Sequence, residues 1–252
     1  MIELHHVSAG YGKTEILHDI SLTFRKGKIT AILGVNGCGK STLLKTLVRL
    51  LPVTSGTITV DGASADTCSS AELAKKIAYL PQSRNLPDMT VRQMVLHGRF
   101  AYLSYPRVYR KEDIAAAENA MMTLGIADLA ERSLSELSGG MRQKAYIAMA
   151  LAQDAPVILM DEPTNSLDIG GQLRLSETIL SLTKAGKTVG IVLHDLPLAL
   201  KLADDLAVLH EGRLLDAGSP EKILESGALE RAYGIKIRPI QTEDGTEYVC
   251  GL

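Results

Sequence analysis

One eight-residue stretch of the sequence has the residue types and the spacing needed to bind phosphate groups. Residues 34–41 are Gly-Val-Asn-Gly-Cys-Gly-Lys-Ser, which fits the pattern of Gly, any four residues, Gly, Lys and Ser or Thr. The glycines allow a tight curl without a clashing Cβ atom. Backbone N–H groups and the next helix N-terminus then converge on one anion. The pattern predicts that Lys40 lies near the β- and γ-phosphates of a nucleotide and that the Ser41 hydroxyl binds Mg²⁺; the alternative is an ordinary Gly-rich turn.

Two adjacent carboxylates follow a second apolar run. Asp161 and Glu162 come directly after Val157–Met160, which predicts a strand buried on both faces of a parallel sheet. Ligands bind at the carboxyl ends of such strands, and the alternation of side chains sends the two carboxylates to different sides. We expect Asp161 to hold Mg²⁺ through water. We expect Glu162 to orient or deprotonate a water molecule for the γ-phosphate; the alternative is a solvated acidic turn.

Two further positions have the chemistry of an anion site. His194 follows the apolar run 187–193, so it is expected at the same sheet edge, where an imidazole can hydrogen-bond a γ-phosphate. A lone histidine is more often structural. Ser138, Gly139 and Gly140 precede a long run of helix-forming residues, and a helix N-terminus prepared in this way attracts anions. Taken alone, these three residues equally predict a plain N-cap.

Aromatic residues are concentrated at two places. Tyr11 lies between two glycines, where its ring can stack on a nucleobase or pack on the surface, and the sequence leaves both open. The segment 99–110 contains Phe100, Tyr102, Tyr105 and Tyr109. A cluster of exposed aromatic rings favours a docking surface; the alternative is packing within the segment.

The periodicity of apolar residues predicts the elements that position these side chains. Apolar runs at 29–33, 77–80, 157–160, 187–193 and 206–209 predict buried strands that alternate with helices. Shorter strands at 2–7, 20–25 and 57–60, with turns at 10–13, 55–56 and 61–62, predict an antiparallel layer. Residues 83–137 predict a helical insertion, which with the next helix makes a helical subdomain of about 83–155. A terminal hairpin is predicted to turn at 243–246, and the helix after the phosphate loop to reach Pro52 with one apolar face formed by Leu43, Leu44, Leu47, Leu50 and Leu51.

Composition excludes several classes of protein. A chain of 252 residues is long enough for one α/β domain with a subdomain. Its net charge of −2 argues against a nucleic-acid partner. Its three cysteines, without a Cys-x-x-Cys pair, argue against a disulfide framework and a zinc site. No apolar run approaches a membrane span and the N-terminus lacks the pattern of a signal peptide, so we expect a cytosolic protein or one held at a membrane by a partner.

Taken in order, these motifs resemble those of the ATP-binding-cassette (ABC) ATPases over essentially the whole chain. The resemblance implies a P-loop NTPase α/β core with a mostly parallel sheet, an N-terminal antiparallel β subdomain and a helical insertion. The matching features are a base-stacking aromatic (Tyr11), Walker A (34–41), the Q-loop glutamine (Gln82), the signature (Leu137–Met141), Walker B with its glutamate (157–162), the D-loop (Ser166–Asp168) and the switch histidine (His194).

The resemblance also implies roles for these residues with ATP and Mg²⁺. Glu162 and His194 would be catalytic, and Asp168 would belong to the D-loop. Two copies would pair head to tail, so that Ser138, Gly139 and Gly140 contact the γ-phosphate of the other copy. The signature departs from the family pattern, which has Gln where this chain has Met141. The implied metal ligands are Ser41, Gln82 and, through water, Asp161, and the implied ATP contacts are Tyr11, Gly34, Val35, Asn36, Gly37, Cys38, Gly39, Lys40, Ser41 and Thr42.

The insertion is similar to that of bacterial importers for iron-siderophore complexes, haem and cobalamin. The segments that carry this similarity are Thr90–Val95, His97–Arg99, Leu103–Pro106 and the tail 235–249. It implies a protein peripheral to the cytoplasmic side of the membrane, with permease subunits docked at about 83–110 and a periplasmic or surface substrate-binding protein acting indirectly. The alternatives are the ATPase subunit of an ABC exporter, a soluble ABC protein acting on DNA or ribosomes, and a nucleotide-binding regulatory module without turnover.

Overall fold

The elements of the chain follow the predicted alternation of strands and helices. The structure is a computed structural model that describes residues 1–82, 88–165, 167–242 and 245–251. Within these ranges the strands are β1 (Ile2–Tyr11), β2 (Thr14–Phe24), β3 (Ile29–Leu33), β4 (Val53–Val60), β5 (Ala63–Ser64), β6 (Ile77–Leu80), β7 (Val157–Asp161), β8 (Thr188–Val192), β9 (Asp205–His210), β10 (Arg213–Gly218), β11 (Lys236–Thr242) and β12 (Gly245–Gly251). The α-helices are α1 (Lys40–Leu47), α2 (Ser70–Lys76), α3 (Val91–His97), α4 (Lys111–Thr123), α5 (Gly139–Ala152), α6 (Ile169–Lys184), α7 (Leu196–Leu202), α8 (Pro220–Ser226) and α9 (Ala228–Tyr233).

The central sheet has the strand order β10-β9-β3-β8-β7-β6. Its pairs are parallel except β9 with β10, which is an antiparallel hairpin. Every residue of β3, β7 and β8 is buried, because apolar cores cover both faces of the sheet. The apolar runs therefore form the central strands, as predicted. The carboxyl ends of β3, β7 and β8, from which the candidate residues extend, meet at one edge.

A second, antiparallel sheet has the order β2-β1-β4-β5 and confirms the predicted N-terminal layer. Two of its details differ from prediction. Strand β1 continues through Tyr11, so the turn predicted at 10–13 is confined to Gly12 and Lys13. The predicted turn at Ser55 and Gly56 is wrong, because both residues lie inside β4. Gly56 has φ of 83° and a Cβ there would lie 2.2 Å from the carbonyl oxygen of His6, so this glycine permits an irregularity in strand pairing.

The helix after the phosphate loop is shorter than predicted. Helix α1 ends at Leu47, before the predicted stop at Pro52. Arg49 has a left-handed backbone with φ of 57°, and the Leu50 N–H donates to the carbonyl of Lys45, so the chain turns away from the helix axis. As a result Leu50 is 68% exposed, whereas the other four leucines of the predicted face are buried.

Among the described residues, three α-helices lie between β6 and β7, in the region predicted to be helical. Thr90 and Gln93 form the predicted capping box of α3. The helices α3, α4 and α5 share one apolar core. Gly98 permits a close approach of α3 to α5, because a Cβ there would lie 2.2 Å from the carbonyl oxygen of Met149. The predicted start of this region, residues 83–87, lies outside the described residues.

The chain ends in the hairpin β11–β12, in which Thr242 pairs with Gly245. The predicted turn residues Glu243 and Asp244 lie outside the described residues. An ion pair between Lys201 of α7 and Glu247 of β12 joins the hairpin to the body of the protein. Helices α8 and α9 precede the hairpin and pack their apolar residues in the core that also covers β9.

Candidate active site

The phosphate loop connects β3 to α1 and depends on three glycines with positive φ. Gly34, Gly37 and Gly39 have φ values of 147°, 82° and 106°. At Gly34 a Cβ would also lie 2.2 Å from the carbonyl oxygen of Leu209 on β9. A larger residue at Gly34 or Gly39 would have a strained backbone, and its Cβ would also lie within 3 Å of an atom of a neighbouring strand. The curl of the loop is therefore encoded at these positions.

Lys40 begins α1 and turns its ammonium group back into the loop. Its Nζ donates hydrogen bonds to the carbonyl oxygens of Gly34 at 2.7 Å and of Val35 at 3.0 Å. The residue is only 5% exposed. A positive charge therefore sits inside the curl, next to the N-terminus of α1, and both favour an anion at this place.

Asp161 ends β7 beside the first turn of α1. The Ser41 hydroxyl donates to its Oδ1 at 3.0 Å, and the Tyr79 hydroxyl lies 3.4 Å from Oδ2. Burial raises the pKa of Asp161, the Ser41 hydrogen bond opposes this shift, and the nearby Glu162 carboxylate adds to it. A cation at this carboxylate would relieve the same electrostatic penalty, and carboxylate and hydroxyl oxygens are ligands that Mg²⁺ prefers.

Glu162 is held by three polar side chains from three parts of the chain. His194 Nε2 donates to its Oε1 at 2.6 Å. The side-chain amides of Gln82 and Asn165 both donate to its Oε2. Glu162 has a left-handed backbone with φ of 51°, which turns it away from the Ser41 side of the sheet. The two adjacent carboxylates therefore have different partners, but Glu162 lies beyond the end of β7, so its left-handed backbone and not strand alternation sets its direction.

One open cavity of about 560 Å³ brings most of the candidate residues together. The phosphate loop and α1 form one wall, and the side chains after β6, β7 and β8 form another. Tyr11, 48% exposed, lies at the cavity with its hydroxyl 3.3 Å from Lys45 Nζ. Of the candidates, those that line the cavity are Tyr11, Asn36, Gly37, Gly39, Lys40, Ser41, Thr42, Gln82, Glu162 and His194.

Three residues of the loop have other surroundings. The carbonyl oxygens of Gly34 and Val35 accept hydrogen bonds from Lys40 Nζ. Cys38, one of the ATP contacts that the resemblance implies, is 3% exposed, and its side chain belongs to the apolar core under the N-terminal sheet. Burial raises the pKa of the Cys38 thiol.

The signature and D-loop residues that the structure describes do not line this cavity; Ser166 of the D-loop lies outside the described residues. Ser138 is the N-cap of α5 and its hydroxyl accepts a hydrogen bond from the Met141 N–H at 3.4 Å. Asp168 is the N-cap of α6 and accepts from the Gly171 N–H at 2.6 Å. A Cβ placed at Gly139 would meet no described atom within 4 Å, so packing within the described chain gives no reason for glycine there.

The structure adds site residues that the sequence motifs did not identify. Asn165 and Ile16 line the cavity, and Tyr79 contacts Asp161. The position of Asn165, three residues after Glu162 in a turn, is the signal that could have identified it. Ile16 belongs to a strand of the other sheet, so only the fold shows its proximity to the loop.

Comparison with known proteins identifies the family. A family model described as ABC transporter matches residues 17–165. The chain belongs to the ABC transporter family. A ferric enterobactin transport ATP-binding protein of Escherichia coli (strain K12) is 41% identical over 232 residues, which cover 91% of this chain and 86% of that protein. A petrobactin import ATP-binding protein of Bacillus subtilis (strain 168) is 39% identical over 246 residues, which cover 97% of this chain and 96% of that protein.

Solved structures of ABC proteins have the same fold. A transporter assigned to the metal-chelate type, in an inward-facing conformation, superposes with a TM-score of 0.85 at 26% identity and covers 100% of this ABC chain and 97% of its own. A dimeric structure of a bacterial ABC transporter cassette gives a TM-score of 0.77 at 27% identity, with 87% of this chain and 99% of the other covered.

The family assignment confirms several predictions. The predicted fold class, use of ATP and ATPase activity of an ABC importer subunit are confirmed by these relatives. In the part of the chain that the structure describes, every helix is too short or too polar to span a bilayer.

Proposed function

We propose that this ABC protein is the ATP-hydrolysing subunit of an importer for an iron-siderophore complex. The observation that carries the site assignment is the cavity in which Lys40, Ser41, Glu162 and His194 converge. The cargo class is supported by the two relatives, whose names specify ferric enterobactin and petrobactin. The protein would be peripheral to the cytoplasmic side of the membrane.

Within the cavity each side chain has a distinct task. Lys40 and the N–H groups of the loop bind the β- and γ-phosphates of ATP, and Tyr11 stacks on the base. Glu162 orients the attacking water and accepts its proton, while His194 holds the carboxylate and contacts the γ-phosphate. The hydrogen bonds that Glu162 already receives from His194, Gln82 and Asn165 fix its position before ATP arrives.

The residues beside the loop suit Mg²⁺. Ser41 and Asp161 would hold it, Asp161 through water, because a hydroxyl and a buried carboxylate stand together there. Gln82, the third expected ligand, borders the same cavity but donates its amide to Glu162. When bound, Mg²⁺ supplies positive charge that offsets the charge developing on the phosphates.

A second copy of the chain completes the site in this proposal. Ser138, Gly139 and Gly140 lie away from the cavity of their own chain and would contact the γ-phosphate bound by the partner, with Asp168 at the contact between copies. The open surroundings of Gly139 support this assignment, because a phosphate can approach a backbone that has no Cβ. The dimeric cassette among the structural relatives supports the pairing.

The permease is proposed to dock on the segment 88–110, the described part of the predicted docking region. Tyr105 is 97% exposed, Val108 65% and Phe100 46%. The segment is firmly attached, since Arg99 is paired with the buried Asp113 at 3.0 Å and donates to the carbonyl of Ala152 at the end of α5. Exposed apolar side chains on an anchored base are typical of a protein interface.

Removing the exposed aromatic rings is expected to uncouple the protein from its permease. The double variant Phe100→Ala with Tyr105→Ala should bind the permease at least about 30-fold more weakly, because buried aromatic anchors dominate interface energies. The measurement is affinity for the detergent-solubilised permease. The control is Ile240→Ala with Val249→Ala, which removes two apolar side chains that are 48% and 50% exposed on the terminal hairpin. Equal binding by both double variants and the wild type would place the docking surface elsewhere.

The cargo is tested in vesicles that contain the complete importer. An iron-loaded siderophore with its binding protein should raise ATP hydrolysis and drive uptake of iron into the vesicle, whereas the iron-free siderophore should not. Stimulation by haem or cobalamin in its place would reassign the cargo. Movement of substrate out of the cytoplasmic compartment would favour an exporter, and hydrolysis stimulated by DNA or ribosomes would favour a soluble ABC protein.

A further inference from the structure

The hydroxyl of one tyrosine near the C-terminus contacts the phosphate loop directly. Tyr233 is the last residue of α9, and its hydroxyl oxygen accepts a hydrogen bond from the Gly34 N–H at 2.7 Å. The two residues are 199 positions apart in the chain. Helix α9 is bounded by Gly227 and Gly234, both in the left-handed region, so the chain turns sharply on either side of this contact.

Gly34 is the residue at which the loop leaves β3, and its two peptide groups are held from opposite directions. The N–H donates to Tyr233, and the carbonyl oxygen accepts from Lys40 Nζ at 2.7 Å. With φ of 147° and no Cβ, a glycine has little intrinsic preference for this conformation. The surroundings must therefore fix it, and the hydroxyl of Tyr233 is one of the groups that do so.

The state of the Tyr233 hydroxyl suits this position. Burial raises the pKa of Tyr233 to about 12, and the hydrogen bond from Gly34 only partly opposes that shift. A tyrosine hydroxyl is already neutral at physiological pH at its ordinary pKa, and burial only widens that margin, so Tyr233 adds no negative charge beside a loop that binds a polyanion. A neutral hydroxyl still accepts the hydrogen bond from the backbone.

We propose that Tyr233 is a positioning residue of the nucleotide site, which holds the first peptide of the phosphate loop in its binding conformation. This inference rests on the proposed role of residues 34–42 in binding phosphates. It makes α9, and through it the start of the terminal hairpin, part of the nucleotide site. Because ATP and ADP share the phosphates nearest the loop, loss of the Tyr233 hydroxyl weakens the binding of both nucleotides.

The test compares Tyr233→Phe with a matched variant at the other end of β3. Thr188 Oγ1 accepts a hydrogen bond from the Gly27 N–H at 3.0 Å, just before β3 begins. Thr188→Val therefore also removes a hydroxyl that accepts from a glycine N–H, far from the phosphate loop. Both variants should melt at lower temperature than the wild type. Only Tyr233→Phe should raise the Kd for ATP and for ADP, by about 3- to 10-fold, measured by calorimetry on the full chain.

In the reconstituted importer, Tyr233→Phe should raise KM for ATP and leave kcat nearly unchanged, because Glu162 and His194 are untouched. Nucleotide affinity equal to that of the wild type would overturn the inference, and so would an equal loss of affinity in Thr188→Val. The variant Lys40→Ala tests separately whether residues 34–42 bind the phosphates at all. If the wild type and Lys40→Ala bind ATP alike, the assignment of the loop itself is wrong.

Discussion

Glu162→Gln is expected to bind ATP and to hydrolyse it about 10²- to 10⁴-fold more slowly than the wild type, because one positioned general base is removed. The substitution conserves the shape of the side chain, and its amide oxygen can still accept on one side, either from His194 or from Gln82 and Asn165. A neutral amide cannot take a proton from water. The measurement is phosphate release at saturating ATP in the reconstituted importer, with the Kd for ATP determined in parallel.

The control for this variant is Glu225→Gln, which makes the same change on the exposed surface of α8. It should hydrolyse ATP at the wild-type rate. Near-normal turnover in Glu162→Gln would remove Glu162 from the catalytic role. A lowered rate together with a lost affinity for ATP would indicate a collapsed site instead of a missing base.

Lys40→Ala is expected to have the largest effect on nucleotide binding. Hydrogen bonds to charged groups contribute about 1.5–3 kcal/mol each, and on nucleotide binding the ammonium would exchange its two bonds to loop carbonyls for two bonds to the phosphates. The Kd for ATP should therefore rise about 10²- to 10⁴-fold. In the structure the ammonium is already inside the loop, bonded to the carbonyls of Gly34 and Val35. Little side-chain entropy is then lost on binding.

The matched control is Lys187→Ala. Its Nζ also donates to a backbone carbonyl, that of Asp154 at 3.2 Å, and pairs with the Asp154 carboxylate. It lies just before β8, at the sheet edge opposite the site. Calorimetric titration with ATP should give a wild-type Kd for Lys187→Ala. Comparable affinity in both lysine variants would contradict the assignment of residues 34–41 as the phosphate site.

The parts of the site that could be predicted are those whose residues are consecutive in sequence. The phosphate loop, the acidic pair after β7 and His194 after β8 each combine a local pattern with an apolar strand. Parallel strands then bring their ends to one edge without further information. The fold class followed from the same apolar runs, because strands buried on both faces are continuous apolar segments.

The parts that could not be predicted depend on contacts between distant segments. Gly34 and Tyr233 are in contact because α9 packs beside β9. No local sequence pattern around Tyr233 predicts this contact. Gly56 was predicted to form a turn because a glycine after a serine favours one. It lies inside β4, which pairs with β1, and a glycine is needed there because a Cβ would lie 2.2 Å from the carbonyl oxygen of His6. The end of α1 was misplaced because the left-handed backbone at Arg49 has no glycine to mark it.

One chain of this ABC protein is proposed to hold only half of each ATP site, and a second copy to complete it. The most direct test is the molar mass of Glu162→Gln in solution, by light scattering, with and without Mg²⁺ and ATP. This variant should have the mass of one chain without nucleotide and of two chains with ATP, since slow hydrolysis lets the closed pair accumulate. The mass of a single chain at saturating ATP, in a variant shown to bind ATP, would rule out completion of the site by a second copy.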